Sequence, residues 1–278
     1  MNLLLIGGMS GSGKSVALGA LEDSGYYAVN NLPPAQVPEL AQHLRQTRHD
    51  RVAVALDLKS EDALAALPRT IDRLRSEGWN VHFLYLDAKN ETLVKRFSET
   101  RRKHPLSTDE RTLHEAIDLE RKLLAEVSDL GYHFDTSDLP AHALRAWIKD
   151  FVHVDASGLT LLFQSFGYKH GVPLDADLVF DVRCLPNPFY ESGLEPLSGR
   201  DQAVIEYFHT YPEVETMFED IRDFVHRWLP AYGRDNRHYL TVAIGCTGGR
   251  HRSVYLVERL AAEFGREATV LKRHRELD

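Results

Sequence analysis

Two short stretches, one near each end of the chain, carry residue types at spacings that hold phosphate. The first, GGMSGSGKS, places Gly8, Gly13, Lys14 and Ser15 in the order Gly-x-x-x-x-Gly-Lys-Ser. Glycines at this spacing let the backbone from Gly8 through Met9, Ser10, Gly11, Ser12 and Gly13 turn its N–H groups inward around phosphate oxygens. A following helix adds the positive end of its dipole. Lys14 is placed to neutralise the β- and γ-phosphates and Ser15 to ligate Mg²⁺. The second stretch, IGCTGGRHRS at 244–253, sets Arg252 six positions after Cys246, with Thr247, Gly248 and Gly249 in the turn and His251 and Ser253 flanking the arginine. A thiol over a ring of amides and an arginine suits either nucleophilic phosphoryl transfer or anion binding alone. A phosphatase also needs a general acid aimed at the leaving group, and the sequence identifies none. An anion-holding sensor loop is therefore preferred to a structural turn with Cys246 packed beneath it, and both to a phosphatase.

Other polar residues stand where they could complete these loops. Magnesium wants a carboxylate at the tip of a neighbouring strand, and both Asp57, ending VAVAL, and Asp87, ending VHFLYL, qualify. Each could equally be only a helix cap. Neither has a glutamate beside it to polarise water, so intrinsic hydrolysis is expected to be slow. Lys95, Arg96, Arg101, Arg102 and Lys103 form either a cationic lid over a transferring phosphoryl group or a solvated helix face. Asn30 and Asn31 stand where small-molecule kinases often present an acid, and an amide is no base; this weighs against a kinase. FDTSDLPAHAL at 134–144 is a candidate wall for the base. In the second half, Lys169, His170, Asp181 and Arg183 fall at the ends of apolar runs, where open α/β sheets bind ligands.

The elements that must position these residues follow from periodicity. Apolar runs at 3–8, 26–32, 52–58, 81–87 and 132–137 alternate with charged, helix-period segments at 61–77, 90–103 and 110–128. This predicts an α/β fold with a parallel sheet and helices on both faces. Near residue 150 the rhythm changes. Runs at 159–171, 176–189, 239–245 and 268–272, with helices at 201–208, 213–229 and from about 252, predict a smaller α/β domain. The expected division is 1–152 and 153–278. The chain has 278 residues, with 43% hydrophobic and 27% charged, enough for two cores. A formal net charge of −8 excludes a protein that coats nucleic acid non-specifically, so any RNA contact needs a local basic patch. No run approaches the ~20 apolar residues of a membrane span. Two cysteines without a CxxC and no leader-like segment make the cytoplasm the expected compartment.

Taken together, GMSGSGKS, NNLP, LDLKS, RFSETRRKHPLS, DTSDL, SFGYKHGVPLDADLVFDVRCLPNP and IGCTGGRHRSV closely resemble the RapZ/YvcJ family of nucleotide-binding proteins, over residues 3 to about 275. The resemblance implies an N-terminal P-loop domain with ATPase and GTPase activity, using Mg²⁺ with ATP or GTP. In it, Asp57, Leu58, Lys59 and Ser60 form a second nucleotide-contacting segment. It also implies a C-terminal domain that binds a phosphosugar, and a homo-oligomer. In the RNase-adapter branch of the family the C-terminal domain senses glucosamine-6-phosphate and delivers small RNAs to an endoribonuclease; Lys272, Arg273 and Arg275 are the corresponding RNA-binding candidates. Two departures stand out. Relatives usually read Asp-Asn-Leu-Pro where this chain has Asn30-Asn31-Leu32-Pro33. The basic tail closes here on Glu276 and Asp278, which implies fewer phosphate contacts and weaker RNA binding.

Overall fold

Strands buried on both faces read as continuous apolar runs, and such runs become the two parallel sheets of this chain. The computed structural model describes residues 1–137, 139–153, 159–234 and 239–277. They form two compact units, Met1–His153 and Val154–Asp278, both α/β.

In the first unit, β1 (Asn2–Gly8), β2 (Tyr27–Leu32), β3 (Arg51–Leu56), β4 (Asn80–Asp87) and β5 (Tyr132–Asp135) pair in the order β2-β3-β1-β4-β5, all parallel. Alternate residues of each strand face opposite sides. Leu3 and Leu5 of β1 join Val52, Val54 and Phe83 in a core with α2 (Val37–Gln46), α3 (Glu61–Ser76) and α5 (Leu113–Ser128). Leu4 and Ile6, of opposite parity and also buried, lie outside that cluster. The remaining helices are α1 (Lys14–Asp23), α4 (Asn90–Thr100) and α6 (Ala141–His153), and α1 packs on α6 and β3. Trp147 of α6 stacks on Phe134 of β5 with ring centroids 3.6 Å apart. Sequence periodicity did not single out α2. The chain leaves β1 toward β3 on one side and β4 lies on the other, so the C-terminal tip of β1 sits at the crevice where the strand order reverses.

The second unit has β6 (Thr160–Gly167), β7 (Leu178–Asp181), β8 (Tyr239–Cys246) and β9 (Thr269–His274) in the order β7-β8-β6-β9, again parallel. Its helices α7 (Gln202–His209), α8 (Pro212–Arg234) and α9 (Arg252–Phe264) pack on Leu161, Phe163, Val242 and Ile244. No helix among the described residues is long and apolar enough to cross a membrane.

Candidate functional site

The phosphate loop leaves β1 at Gly8, which pairs with Leu86 of β4. Its φ of 127° lies in the left-handed region, and a Cβ there would collide with the Leu86 backbone, so only glycine fits. Gly13 (φ 103°) is the N-cap of α1 and supplies no side-chain acceptor. Val16 N bonds to Gly13 O (2.9 Å), and no side chain caps the Lys14 and Ser15 N–H groups, as an anion site requires. Lys14 reaches back across the loop: its Nζ donates to the carbonyls of Gly8 (2.6 Å) and Met9 (2.9 Å). Burial lowers its pKa to about 8, Lys59 lowers it further, and the Glu120 and Asp57 charges oppose the fall. Ser15 is exposed at the head of α1. Met9 and Ser12 are fully buried side chains and serve the loop through their backbone.

A cavity of about 700 Å³ opens over this loop, lined among others by Lys14, Ser15, Asn31, Asp57, Leu58, Lys59, Arg102, Lys103, Glu120, Leu139 and Leu144. The two sequence candidates for a magnesium carboxylate part company here. Asp87 is buried and already spoken for. Arg121 Nη1 donates to both of its oxygens at 2.9 and 2.7 Å, His133 lies at 3.3 Å, and the Ala88 N–H donates at 2.7 Å. Burial pushes the Asp87 carboxyl up, but the hydrogen bonds from His133 and Arg121 outweigh it and hold it below the usual range. Asp57 instead lines the cavity. Its Oδ1 is buried and accepts no hydrogen bond; Lys59 Nζ is 3.2 Å away, close enough for an ion pair but poorly directed. Lys59 also reaches Asn31 Oδ1 at 3.4 Å. Asn31 has φ 58°, a left-handed conformation that asparagine and aspartate adopt more readily than other non-glycine residues because their short polar side chains can hydrogen-bond locally. Leu58 packs against Gly7, while Ser60 caps α3 by accepting from Ala63 N (3.2 Å) and does not line the cavity.

The expected cationic lid is divided. Arg102 and Lys103 line the cavity from the loop after α4. Arg96 also lines the cavity but is a brace: it donates to Gly11 O (3.1 Å), Thr136 Oγ1 (3.0 Å) and Thr136 O (2.6 Å), tying the phosphate loop to the segment after β5. Lys95 faces Glu99 on the exposed side of α4, and Arg101 ends that helix in a left-handed conformation. Sequence reasoning missed Glu120 and His104. Glu120 accepts from Ser10 N (2.9 Å) and Ser10 Oγ (2.7 Å), and His104 Nε2 lies 3.1 Å from the same carboxylate. Burial raises the Glu120 pKa, but the bonds from His104 and Ser10 and the Lys14 charge leave it below the usual range.

In the second unit, the loops after β6, β7 and β8 meet at the strands' C-terminal ends. Lys169 N donates to Thr247 O (3.3 Å), Val182 N to Gly245 O (2.9 Å), and Arg252 Nη1 to the carbonyls of Arg183 (2.8 Å) and Leu185 (3.2 Å). Residues expected to hold an anion therefore do converge, but Arg252 and His251 are turned to structure. Arg252 is buried and spends its fork on carbonyls and on Thr247 Oγ1 (3.3 Å), leaving its buried Nε without a partner. His251 is buried against Leu194 O (3.2 Å), and burial lowers its pKa. Cys246 lies beneath the turn, 3.2 Å from both Gly249 N and Ser253 Oγ. Lys169 and His170 are exposed, Arg183 pairs with Asp181 (2.6 Å) over the Tyr168 ring, and a Cβ on Gly248 would meet open space. Glu276, expected only to dilute a basic tail, accepts from Gly167 N (3.1 Å) and its carboxylate abuts Gly249.

The basic tail itself is not a surface patch. Residues 269–274 form β9, Lys272 Nζ is bound to Glu258 (2.6 Å), Arg273 is buried 3.7 Å from Asp175, and Arg275 is buried and donates to Gly171 O (3.1 Å). Arg273 and Arg275 are thus turned inward while Lys272 stays exposed, a difference that counting charges along the sequence does not reveal.

Comparison with known proteins agrees with the two-part layout. Residues 1–156 match the RapZ-like N-terminal domain, and residues 159–278 match the RapZ C-terminal domain. The chain belongs to the RapZ family. A nucleotide-binding protein of Azoarcus sp. is 59% identical over 276 residues, covering 99% of this chain and 94% of the relative. A nucleotide-binding protein of Thiobacillus denitrificans is 56% identical over 277 residues, covering all of both. Among solved structures, a deoxyadenosine kinase from M. mycoides with bound dCTP is 13% identical, with a TM-score of 0.34 over 54% of this chain and 98% of the kinase. The RapZ family assignment rests on the sequence matches.

Proposed function

We propose that this RapZ-family chain is a regulatory nucleotide-binding protein that takes ATP or GTP with Mg²⁺ at Gly8–Ser15 and hydrolyses it slowly. The observation that carries the reading is the uncapped α1 N-terminus and Lys14 opening on the 700 Å³ cavity. The donor set fits magnesium. A phosphate-bound Mg²⁺ takes only one or two protein ligands, and Asp57, with a buried oxygen that accepts no hydrogen bond, and the exposed Ser15 hydroxyl supply them. Held by these residues, the metal would supply positive charge to offset that of the triphosphate. Lys14 would leave the Gly8 and Met9 carbonyls for phosphate, and apolar Leu139 and Leu144 would flank the base. Slow hydrolysis follows from the carboxylates available. Asp57 and Glu120 are the acids of the cavity lining, one assigned to the metal and the other held by Ser10 and His104, so neither is free to orient water.

For the second unit, the same proposal assigns a phosphosugar such as glucosamine-6-phosphate to the converged loops. The open space at Gly248 and the cations Lys169 and Arg183 support it. RNA delivery has no comparable support, since Arg273 and Arg275 are buried. A ligand that binds only the native state raises its unfolding temperature. ATP or GTP with Mg²⁺ should therefore stabilise the wild type, and Asp57→Asn should lose most of the magnesium-dependent part. An equal magnesium effect in both proteins would remove Asp57 from the site.

A further inference from the structure

The carboxylate of Glu120 sits between two segments that sequence places far apart. On one side is Ser10 of the phosphate loop, bound through both its N–H and its hydroxyl. On the other is His104, in the loop 101–112 that brings Arg102 and Lys103 to the cavity. The imidazole is oriented: its Nδ1 accepts from Leu106 N at 3.1 Å, which leaves Nε2 as the proton donor to Glu120. His104 and Glu120 are both buried, so these bonds are shielded from water and correspondingly strong. A second, apolar contact follows the same path. Phe97 stands 5.1 Å from His104 between ring centroids, and a Cβ on Gly11 would meet the Phe97 ring at 3.2 Å. The lid loop thus touches the phosphate loop at Ser10 through Glu120 and at Gly11 through Phe97.

We propose that Glu120 is a positioning residue that latches the 101–112 loop to the phosphate loop, so that lid placement and the geometry of the Ser10 amide change together. This deepens the nucleotide reading and rests on it for its functional consequence, though the latch itself is a property of the protein alone. Glu120 acts through Ser10 and His104.

The amide substitution separates the bonds from the charge. In Glu120→Gln, the oxygen can still accept from Ser10 N and His104 Nε2, and the NH₂ can donate to the Ser10 hydroxyl, so the latch survives without its charge. Glu120→Ala removes both. Hydrogen–deuterium exchange on the full-length protein without nucleotide reads the latch. His104→Ala should speed exchange at 9–14, Glu120→Ala should speed it at both 9–14 and 101–112, and Glu120→Gln should restore the wild-type pattern. ATP titration reads the consequence. Glu120→Ala should weaken binding at pH 7 by about tenfold or more, the scale of a lost charged hydrogen bond. Glu120→Gln, which keeps the latch, should bind within about threefold of wild type at pH 7. Unchanged exchange at 9–14 in a folded His104→Ala protein overturns the latch. So does wild-type ATP affinity in Glu120→Ala. Should the wild type itself not bind ATP, the nucleotide reading falls and the exchange data alone decide the latch.

Discussion

Lys14 shows how one residue can be both disfavoured and useful. Its ammonium is held on the Gly8 and Met9 carbonyls in a half-buried loop, and its pKa falls to about 8 from 10.5. The unfolded chain holds that proton more tightly than the native one. Lys14 therefore destabilises the fold below pH 8, and the penalty fades as pH rises toward 10.5. Phosphate reverses the preference, because an anion favours the charged form. Nucleotide affinity should accordingly decline above about pH 8, and binding near that pH should take up a proton. Calorimetry in buffers of different ionisation heat checks this; a buffer-independent binding heat at pH 8.5 contradicts it. Asp87 carries the opposite sign. Its depressed pKa contributes stability that is present above 3.8 and is lost as pH falls through the lower native value. The choice between Asp57 and Asp87 was open in the sequence because both end strands on an aspartate. Arg121, 34 positions from Asp87, occupies that carboxylate, and no local pattern announces the pairing.

At the scale of elements, the phosphate loop was legible because everything it needs is local: a buried strand, glycines at fixed offsets and a helix. Glu120 was illegible because it is one acid on an amphipathic helix, 110 residues from Ser10, and looks like part of a solvated face. The lid was half legible: its cations were visible, but Arg96 turned out to be a brace because Thr136 and Gly11 present carbonyls to it. The tail differs from both. The family resemblance made Lys272, Arg273 and Arg275 candidates for RNA, while β9 pairs with β6 and Arg273 and Arg275 are buried. Arg273→Ala should then act on stability. It removes an ionic partner from the buried Asp175 carboxylate and should cost about 3 kcal/mol, read by urea unfolding of the full chain. A variant of unchanged stability with reduced RNA retention at low salt would return β9 to the RNA reading.

At the scale of the whole molecule, two parallel sheets each carry a core of their own and each places a glycine-rich loop at the C-terminal end of a strand. That much followed from the alternation of apolar runs and helix-period segments. What the second loop does with its cysteine did not, since burial of Cys246 beneath Gly249 and Ser253 depends on packing. Hexosamine phosphate should protect amides of 166–185 and 245–253 from exchange and leave 8–15 unaffected; ATP should do the converse. Protection of 8–15 by both ligands would contradict separate sites. The most direct measurement is a titration of Mg²⁺-ATP and Mg²⁺-GTP into the wild type and Lys14→Ala by isothermal calorimetry. The wild type should bind with a stoichiometry near one per chain, and Lys14→Ala should lose at least about a hundredfold in affinity, the scale of a buried charge–phosphate contact. Equal affinity in the two proteins would show that the nucleotide site is not the Gly8–Ser15 loop.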